Sequence, residues 1–272
     1  MEQHERSPVL EMKGISKRFG AVQALSEVDF EVYPQEVVGL VGDNGAGKST
    51  LVKVIAGTYP PDSGEYIFEG KEVVVGNPRQ ATELGIQTVY QDLALCDNLD
   101  VVANLYLGRE ETQAVVPGLF NAIDEITMEQ RALRFITDLH VTIPSLRSRI
   151  ATLSGGQRQS VAVARAVMWN SKVVLLDEPT AALGVEQTKQ VKQLILRLRE
   201  QGLGVVVISH NLADIFDVSD RIIVLRLGRR VATFETHVSN PEQVVAAITG
   251  AVFGVVEGGL DRGPGKGSDD AR

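Results

Sequence analysis

The chain has 272 residues, 44% of them apolar and 23% charged, with a formal net charge of -8 at neutral pH. This composition fits one large globular domain or two closely packed subdomains and excludes fibrous and disordered classes. The acidic balance argues against a general nucleic-acid binder, which needs a basic excess to neutralise phosphates. Cys96 is the single cysteine, so neither an intramolecular disulfide nor a cysteine cluster for zinc or iron-sulfur can form, and a reducing cytoplasm is the natural setting.

The N-terminal residues Met1 to Arg6 are polar, and no stretch approaches the roughly 18 apolar residues of a spanning helix. A soluble chain is expected, with any membrane role exerted through a partner. Residues 8–36 and 62–76 alternate apolar and polar positions around turns such as Pro61-Asp62-Ser63-Gly64 and Glu69-Gly70-Lys71, which predicts an antiparallel sheet. Between them, the run Val37 to Val41 reads as a buried parallel strand.

Directly after that run comes Gly42-Asp43-Asn44-Gly45-Ala46-Gly47-Lys48-Ser49, which fits G-x-x-x-x-G-K-[ST] and leads into an apolar helix over Leu51 to Ala56. The glycines let backbone N–H groups curl around phosphate oxygens, and the positive end of the helix faces the same anion. Lys48 would neutralise β/γ-phosphate charge, and the Ser49 hydroxyl would ligate magnesium. The competing reading is a glycine-rich strand-to-helix turn that binds nothing.

Further short apolar runs, Ile86 to Tyr90, Val173 to Leu176 and Val205 to Ile208, alternate with helical stretches such as Glu186 to Gln201, where Val191, Leu194, Ile195 and Leu198 recur at helical spacing. Strand then helix, repeated, predicts an α/β fold whose ligand loops lie at the carboxyl ends of parallel strands. Residues 92 to about 170 lack convincing strands and read as an inserted, mainly helical subdomain.

Within that insertion lies Leu153-Ser154-Gly155-Gly156-Gln157-Arg158-Gln159. Ser154 and Gln157 have the spacing of a capping box, while the two glycines leave bare backbone at a helix start, which also suits a phosphate. The strand at Val173 ends in Asp177-Glu178. Such a pair is either a solvated strand edge or, after a phosphate loop, a magnesium ligand (Asp177) and a base that orients or deprotonates water (Glu178). From Glu257 to Arg272 the chain is too polar and glycine-rich to pack, so the tail, from about residue 251, is expected to be disordered.

Phosphate loop, Leu-Ser-Gly-Gly-Gln and strand-Asp-Glu stand in the order found in ABC transporter ATPases, which the chain resembles over residues 8–250. The resemblance implies a P-loop core with an antiparallel β subdomain and an inserted helical subdomain, with ATP and Mg2+ as cofactors. It implies an adenine platform at Phe19, Thr50 as part of the phosphate loop, and Gln91 reaching magnesium and water. It implies a switch histidine at His210, and Ser154, Gly155, Gly156 and Gln157 contacting the nucleotide of a second chain. Stretches such as Asn104-Leu105-Tyr106-Leu107-Gly108-Arg109-Glu110 and Glu178-Pro179-Thr180-Ala181-Ala182-Leu183-Gly184 are similar to the single-cassette ATPases of ribose-, xylose- and fructose-type importers. The implied setting is the cytoplasmic face of the membrane, with a transmembrane permease, a second cassette in a homodimer, indirectly a solute-binding protein, and no nucleic acid. Soluble ABC ATPases of chromosomes or ribosomes, and a nucleotide-gated scaffold, are the alternatives. One departure is Gly184, where the family often carries Asp. Leu93, Leu95 and Leu99, at the start of the insertion, read equally as core or as a groove for a permease helix.

Overall fold

The alternation at the N-terminus builds an antiparallel layer in the computed structural model, which describes residues 7–116 and 120–251. Strand β1 (Leu10–Phe19) pairs with β2 (Val22–Val32), Leu10 opposite Val32 and Phe19 opposite Val22. On β2 the buried positions are Leu25, Val28, Phe30 and Val32, separated by more exposed Ser, Glu and Asp, as expected of a sheet with one wet face. With β4 (Ser63–Phe68) and β5 (Lys71–Glu72) the sheet order is β2-β1-β4-β5.

The second sheet has six strands in the order β12-β11-β3-β10-β9-β6. Its members β3 (Glu36–Val41), β6 (Ile86–Val89), β9 (Val173–Asp177) and β10 (Gly204–Ile208) are the four expected parallel strands. Two more, β11 (Arg221–Arg226) and the antiparallel edge β12 (Arg229–Glu235), complete it. This sheet is the middle layer, because alternate residues of each strand enter different cores. Val37, Val174, Leu176, Val205 and Val207 face a cluster with Val161, Leu194 and Leu198 of the helices. Val38, Leu40, Leu175 and Val206 face one with Phe30, Leu51 and Tyr66 on the antiparallel side. Burial on both faces erases the polar alternation in these strands.

Helix α1 (Lys48–Ile55) follows β3, and α2 (Pro78–Leu84) precedes β6. The insertion contributes α3 (Val101–Tyr106), α4 (Glu125–Asp138) and α5 (Gly155–Val167). It also holds a hairpin, β7 (Thr112–Val116) with β8 (Phe120–Ile123), contrary to the expectation of no strands there. The strands are too short to stand out from their polar surroundings. Pro117-Gly118 in the intervening sequence is nevertheless a turn signal. Helix α6 (Val185–Glu200) buries Val191, Leu194, Ile195 and Leu198 as the spacing predicts, and α7 (Leu212–Val218) and α8 (Pro241–Thr249) close the fold. Among the described residues no helix is long and apolar enough to cross a membrane. Residues 252–272, most of the expected tail, lie outside the described residues.

Candidate functional site

Parallel register brings the motifs together. Leu40 on β3 pairs with Ile208 on β10, and Ile208 pairs with Asp177 on β9. The three strands therefore end at one level, and the chain beyond each turns into the same crevice: the phosphate loop after β3, Ser209-His210 after β10 and Glu178 after β9. The open pocket there, of about 500 Å³, is lined among others by Gly42, Asp43, Asn44, Lys48, Glu178 and His210.

The phosphate loop is held from several sides. Ala46 N donates to Asp43 O (3.1 Å), and Gly228 N, in the β11–β12 turn, donates to Ala46 O (3.0 Å). Gly47 has φ 105°, and a Cβ there would lie 2.8 Å from Ala24 O of β2, so only glycine fits this close approach. Gly47 is also the N-cap of α1, and no described side chain caps that helix. Its first N–H groups stay available to an anion. Lys48 Nζ donates to Gly42 O (2.7 Å) and Asp43 O (3.0 Å), folded back over the loop. Burial pushes its pKa down, and the carboxylates of Glu178, Asp43 and Asp177 oppose that shift.

Burial also raises the pKa of Asp177, with the neighbouring Glu178 adding to the rise and Lys48 and Lys53 opposing it. A partly desolvated carboxylate of this kind suits a cation. No cluster of three or more His, Cys, Asp or Glu able to hold a metal occurs among the described residues. The expected donors Ser49, Asp177 and Gln91 bring a single carboxylate, which suits magnesium, an ion that binds through one or two carboxylates and takes the rest of its shell from phosphate and water. Glu178 sits in the left-handed region at φ 50°, a strained conformation for a non-glycine residue. It is held there by Glu178 N donating to Ile208 O (2.9 Å). Its Oε1 accepts from His210 N (3.1 Å) and lies 3.0 Å from His210 Nδ1, and its Oε2 is 3.4 Å from Ser209 Oγ.

The remaining predicted residues are not in the lining of this pocket. Phe19, 42% exposed at the end of β1, meets the Tyr59 ring edge-on at 5.1 Å. Gln91 is exposed just past β6, the neighbour of β9. Gly45 and Thr50 complete the phosphate loop and the first turn of α1. Ser154, Gly155, Gly156 and Gln157 open α5 and are not among the residues lining the pocket. Both halves of their capping box are formed: Gln157 N donates to Ser154 Oγ (3.3 Å), and Ser154 N donates to Gln157 Oε1 (2.9 Å). A Cβ at Gly156 would lie 2.9 Å from Gln187 Cβ, so this glycine also serves the contact of α5 with α6.

A family model described as ABC transporter matches residues 25–181. The chain belongs to that family. It is 45% identical over 248 residues to the fructose import ATP-binding protein FrcA of Rhizobium meliloti, covering 90% of this chain and 95% of that protein. It is 42% identical to the xylose/arabinose import ATP-binding protein XylG of Sulfolobus acidocaldarius, covering 94% and 100%. The ribose import ATP-binding protein RbsA 1 of Rubrobacter xylanophilus is 41% identical, but the match spans only 46% of its length. Among solved structures, the ADP conformation of the ATP-binding cassette MJ1267 aligns with a TM-score of 0.75 at 25% identity, covering 90% of this chain and 96% of that one. The dimeric cassette MJ0796 bound to ADP and Pi aligns with a TM-score of 0.68 at 26% identity, covering 84% and 98%.

This ABC cassette is an ATPase, with the mixed sheet and helices of a P-loop nucleotide-binding fold. Two features of its site escape sequence reasoning. Leu212 and Ile248 line the pocket although neither belongs to a motif, and only the fold brings α8 beside the phosphate loop. The loop after Gln91 is gripped by Arg165 of α5, whose guanidinium donates to Ala94 O (2.7 Å) and Leu93 O (3.0 Å). Leu93 and Leu95 are half-buried against the core, and Leu93 also lines a groove with Tyr90, Leu107, Arg109 and Trp169. The core reading of that segment therefore holds for Leu93 and Leu95, while Leu99, also half-buried, is in neither the core cluster nor the lining of the groove.

Proposed function

We propose that the chain energises a membrane importer for a monosaccharide by hydrolysing ATP at the ends of β3, β9 and β10. The observation that carries the chemistry is the convergence of Lys48, Glu178 and His210 in one pocket beside an uncapped helix start. Lys48 and the first N–H groups of α1 hold the β- and γ-phosphates and stabilise the charge that develops on them. Ser49, Asp177 and Gln91 would hold magnesium, which supplies charge neutralisation between the phosphates. Glu178 takes the proton of the attacking water, and His210, in contact with Glu178 Oε1, links that base to the γ-phosphate. Phe19 stacks on the adenine.

The signature residues lie outside the pocket of their own chain, so they serve the pocket of a second, identical one. ATP then bridges the two copies, and hydrolysis releases them. The groove beside Gln91 receives a cytoplasmic helix of the permease, which places the chain at the cytoplasmic face of the membrane, with a solute-binding protein on the other side. The choice of a sugar rests on the names of FrcA, XylG and RbsA. The solute itself need not touch this subunit.

Glu178→Gln is expected to retain ATP binding and to lower steady-state turnover by roughly a hundredfold or more; near-normal phosphate release would sink the base assignment. For the partner surface, Leu107→Glu alters a 48% exposed groove residue. It should leave basal hydrolysis intact while abolishing co-purification with the permease, and retained co-purification would move the docking site elsewhere.

A further inference from the structure

The two loops that present Glu178 and His210 are joined a second time by a residue outside every motif. Asp214 lies in the first turn of α7 and is only 8% exposed. Its Oδ2 accepts from Thr180 Oγ1 (2.8 Å) and from Asn211 Nδ2 (3.0 Å), and its Oδ1 lies 2.5 Å from Lys192 Nζ of α6. Thr180 is two residues beyond Glu178, and Asn211 is the residue after His210. One carboxylate thus holds the catalytic loop, the histidine loop and the helix that follows the catalytic loop.

A helix cap does not explain this arrangement. In a capping box the third residue accepts from the backbone N–H of the N-cap, but Asn211 N already donates to Ser209 Oγ (3.0 Å), and Asp214 takes the side-chain amide instead. Asn211 caps α7 by itself through Ala213 N (3.1 Å). Nor is the ionic contact needed to keep Lys192 paired, since Lys192 Nζ also lies 2.6 Å from Asp217. Burying a carboxylate is costly unless its partners are fixed in place. Pro179, immediately after the strained Glu178, has no N–H with which to anchor the loop, so the Thr180 hydroxyl is the first side-chain donor that can.

We propose that Asp214 is a positioning residue, a latch that sets the distance between Glu178 and His210 through Thr180 and Asn211. The proposal rests on Glu178 being the base, and the two ideas fail separately. The test measures kcat and KM for ATP, with melting temperature, on the full chain carrying Thr180→Val, Thr180→Ser, Asp214→Ala, and Thr180→Val with Asp214→Ala. Thr180→Val removes the bridging hydroxyl while keeping shape and leaves the Asp214 ion pair intact, so it reports even if Asp214→Ala does not fold.

The expected result is a fall in kcat of roughly tenfold or more for Thr180→Val, as small misplacements of a catalytic group produce. KM should stay within about twofold, Thr180→Ser should restore turnover, and the double variant should be no slower than Asp214→Ala alone because both changes cut one link. Wild-type turnover in Thr180→Val overturns the latch, as do equal losses in the Val and Ser variants, or losses that multiply in the double variant. Near-normal turnover in Glu178→Gln overturns the base assignment instead.

Discussion

Two helix starts in this protein suit an anion, and they are built in opposite ways. Helix α1 begins at Gly47 with no side-chain cap, whereas α5 begins at Ser154 with a complete capping box. At α1 no described side chain caps the first donors, which leaves them to phosphate oxygens. At α5, Gln157 N is already engaged by Ser154 Oγ, and Gly156 is pressed against Gln187. On the proposed shared-site model, the phosphate loop is a standing anion site belonging to one chain, and the signature is a helix start stable by itself that a second chain's nucleotide would visit and leave.

The comparison is tested hardest at Lys48. Lys48→Ala removes the ammonium that covers the loop, and hydrolysis is expected to fall by about two to three orders of magnitude, the cost of removing an electrostatic stabiliser. Folding should survive, because the ammonium is already partly desolvated. Phosphate release within a few-fold of wild type would mean that the loop is not where the charge is neutralised.

Ser154→Asp tests the other start. Asp caps as well as Ser, so stability should move by only a few tenths of a kcal/mol. The carboxylate would nonetheless stand where the partner's γ-phosphate arrives, and hydrolysis should drop by roughly tenfold or more. Gly156→Asp is a poorer probe, since its Cβ would collide with Gln187. Mixing Lys48→Ala chains with Ser154→Asp chains places both lesions in one of the two composite sites. Up to about half of the activity per mixed dimer should return if the sites work independently. If the mixture stays inactive, and ATP also fails to drive pairing of the two variants, α5 is an ordinary capped helix and the shared-site model falls.

The same contrast explains what could be read in advance. The phosphate loop and Asp177-Glu178 are legible because each stands at the end of a doubly buried strand whose apolar run gives way abruptly to polar residues, whereas His210, beyond Val205 to Ile208, is assigned only through the family resemblance. The signature is legible both as a capped helix start and as a phosphate site, and the formed capping box and the contact of Gly156 with Gln187 bear on the first of these. The hairpin at β7 and β8 was missed because so short a pair carries little periodicity. Strands β11 and β12 went unremarked because β11, Arg-Ile-Ile-Val-Leu-Arg, has no motif after it to draw attention. Asp214, Leu212 and Ile248 were invisible for a different reason. Their roles depend on which loops meet in space, and neither period nor spacing encodes that.

The smallest expected effect lies at the proposed adenine end, near Phe19, and it measures how far the phosphate contacts dominate. Asp62 Oδ1 accepts from Lys17 Nζ (2.7 Å) and Oδ2 from Arg18 N (2.7 Å), and Asp62 N donates to Ser16 O (2.9 Å), which pins the strand end that carries Phe19. If α1 supplies most of the binding, Asp62→Asn should raise KM for ATP by only about two- to threefold, in keeping with an exposed pair, and leave kcat unchanged. A larger rise would shift the weight of recognition toward the base. The pH dependence separates charge from shape. The hydrogen bonds from Lys17 and from the Arg18 backbone hold the Asp62 carboxyl below its ordinary pKa of 3.8. A depressed carboxylate stabilises the fold at pH values above its unfolded pKa and loses that contribution as the pH falls through the folded one. The difference in melting temperature between wild type and Asp62→Asn should therefore be complete near neutrality and close as the pH falls below 3.8. A difference that persists there would assign the pinning of β1 to the shape of the side chain, and Phe19 would then keep its place whatever the charge at Asp62.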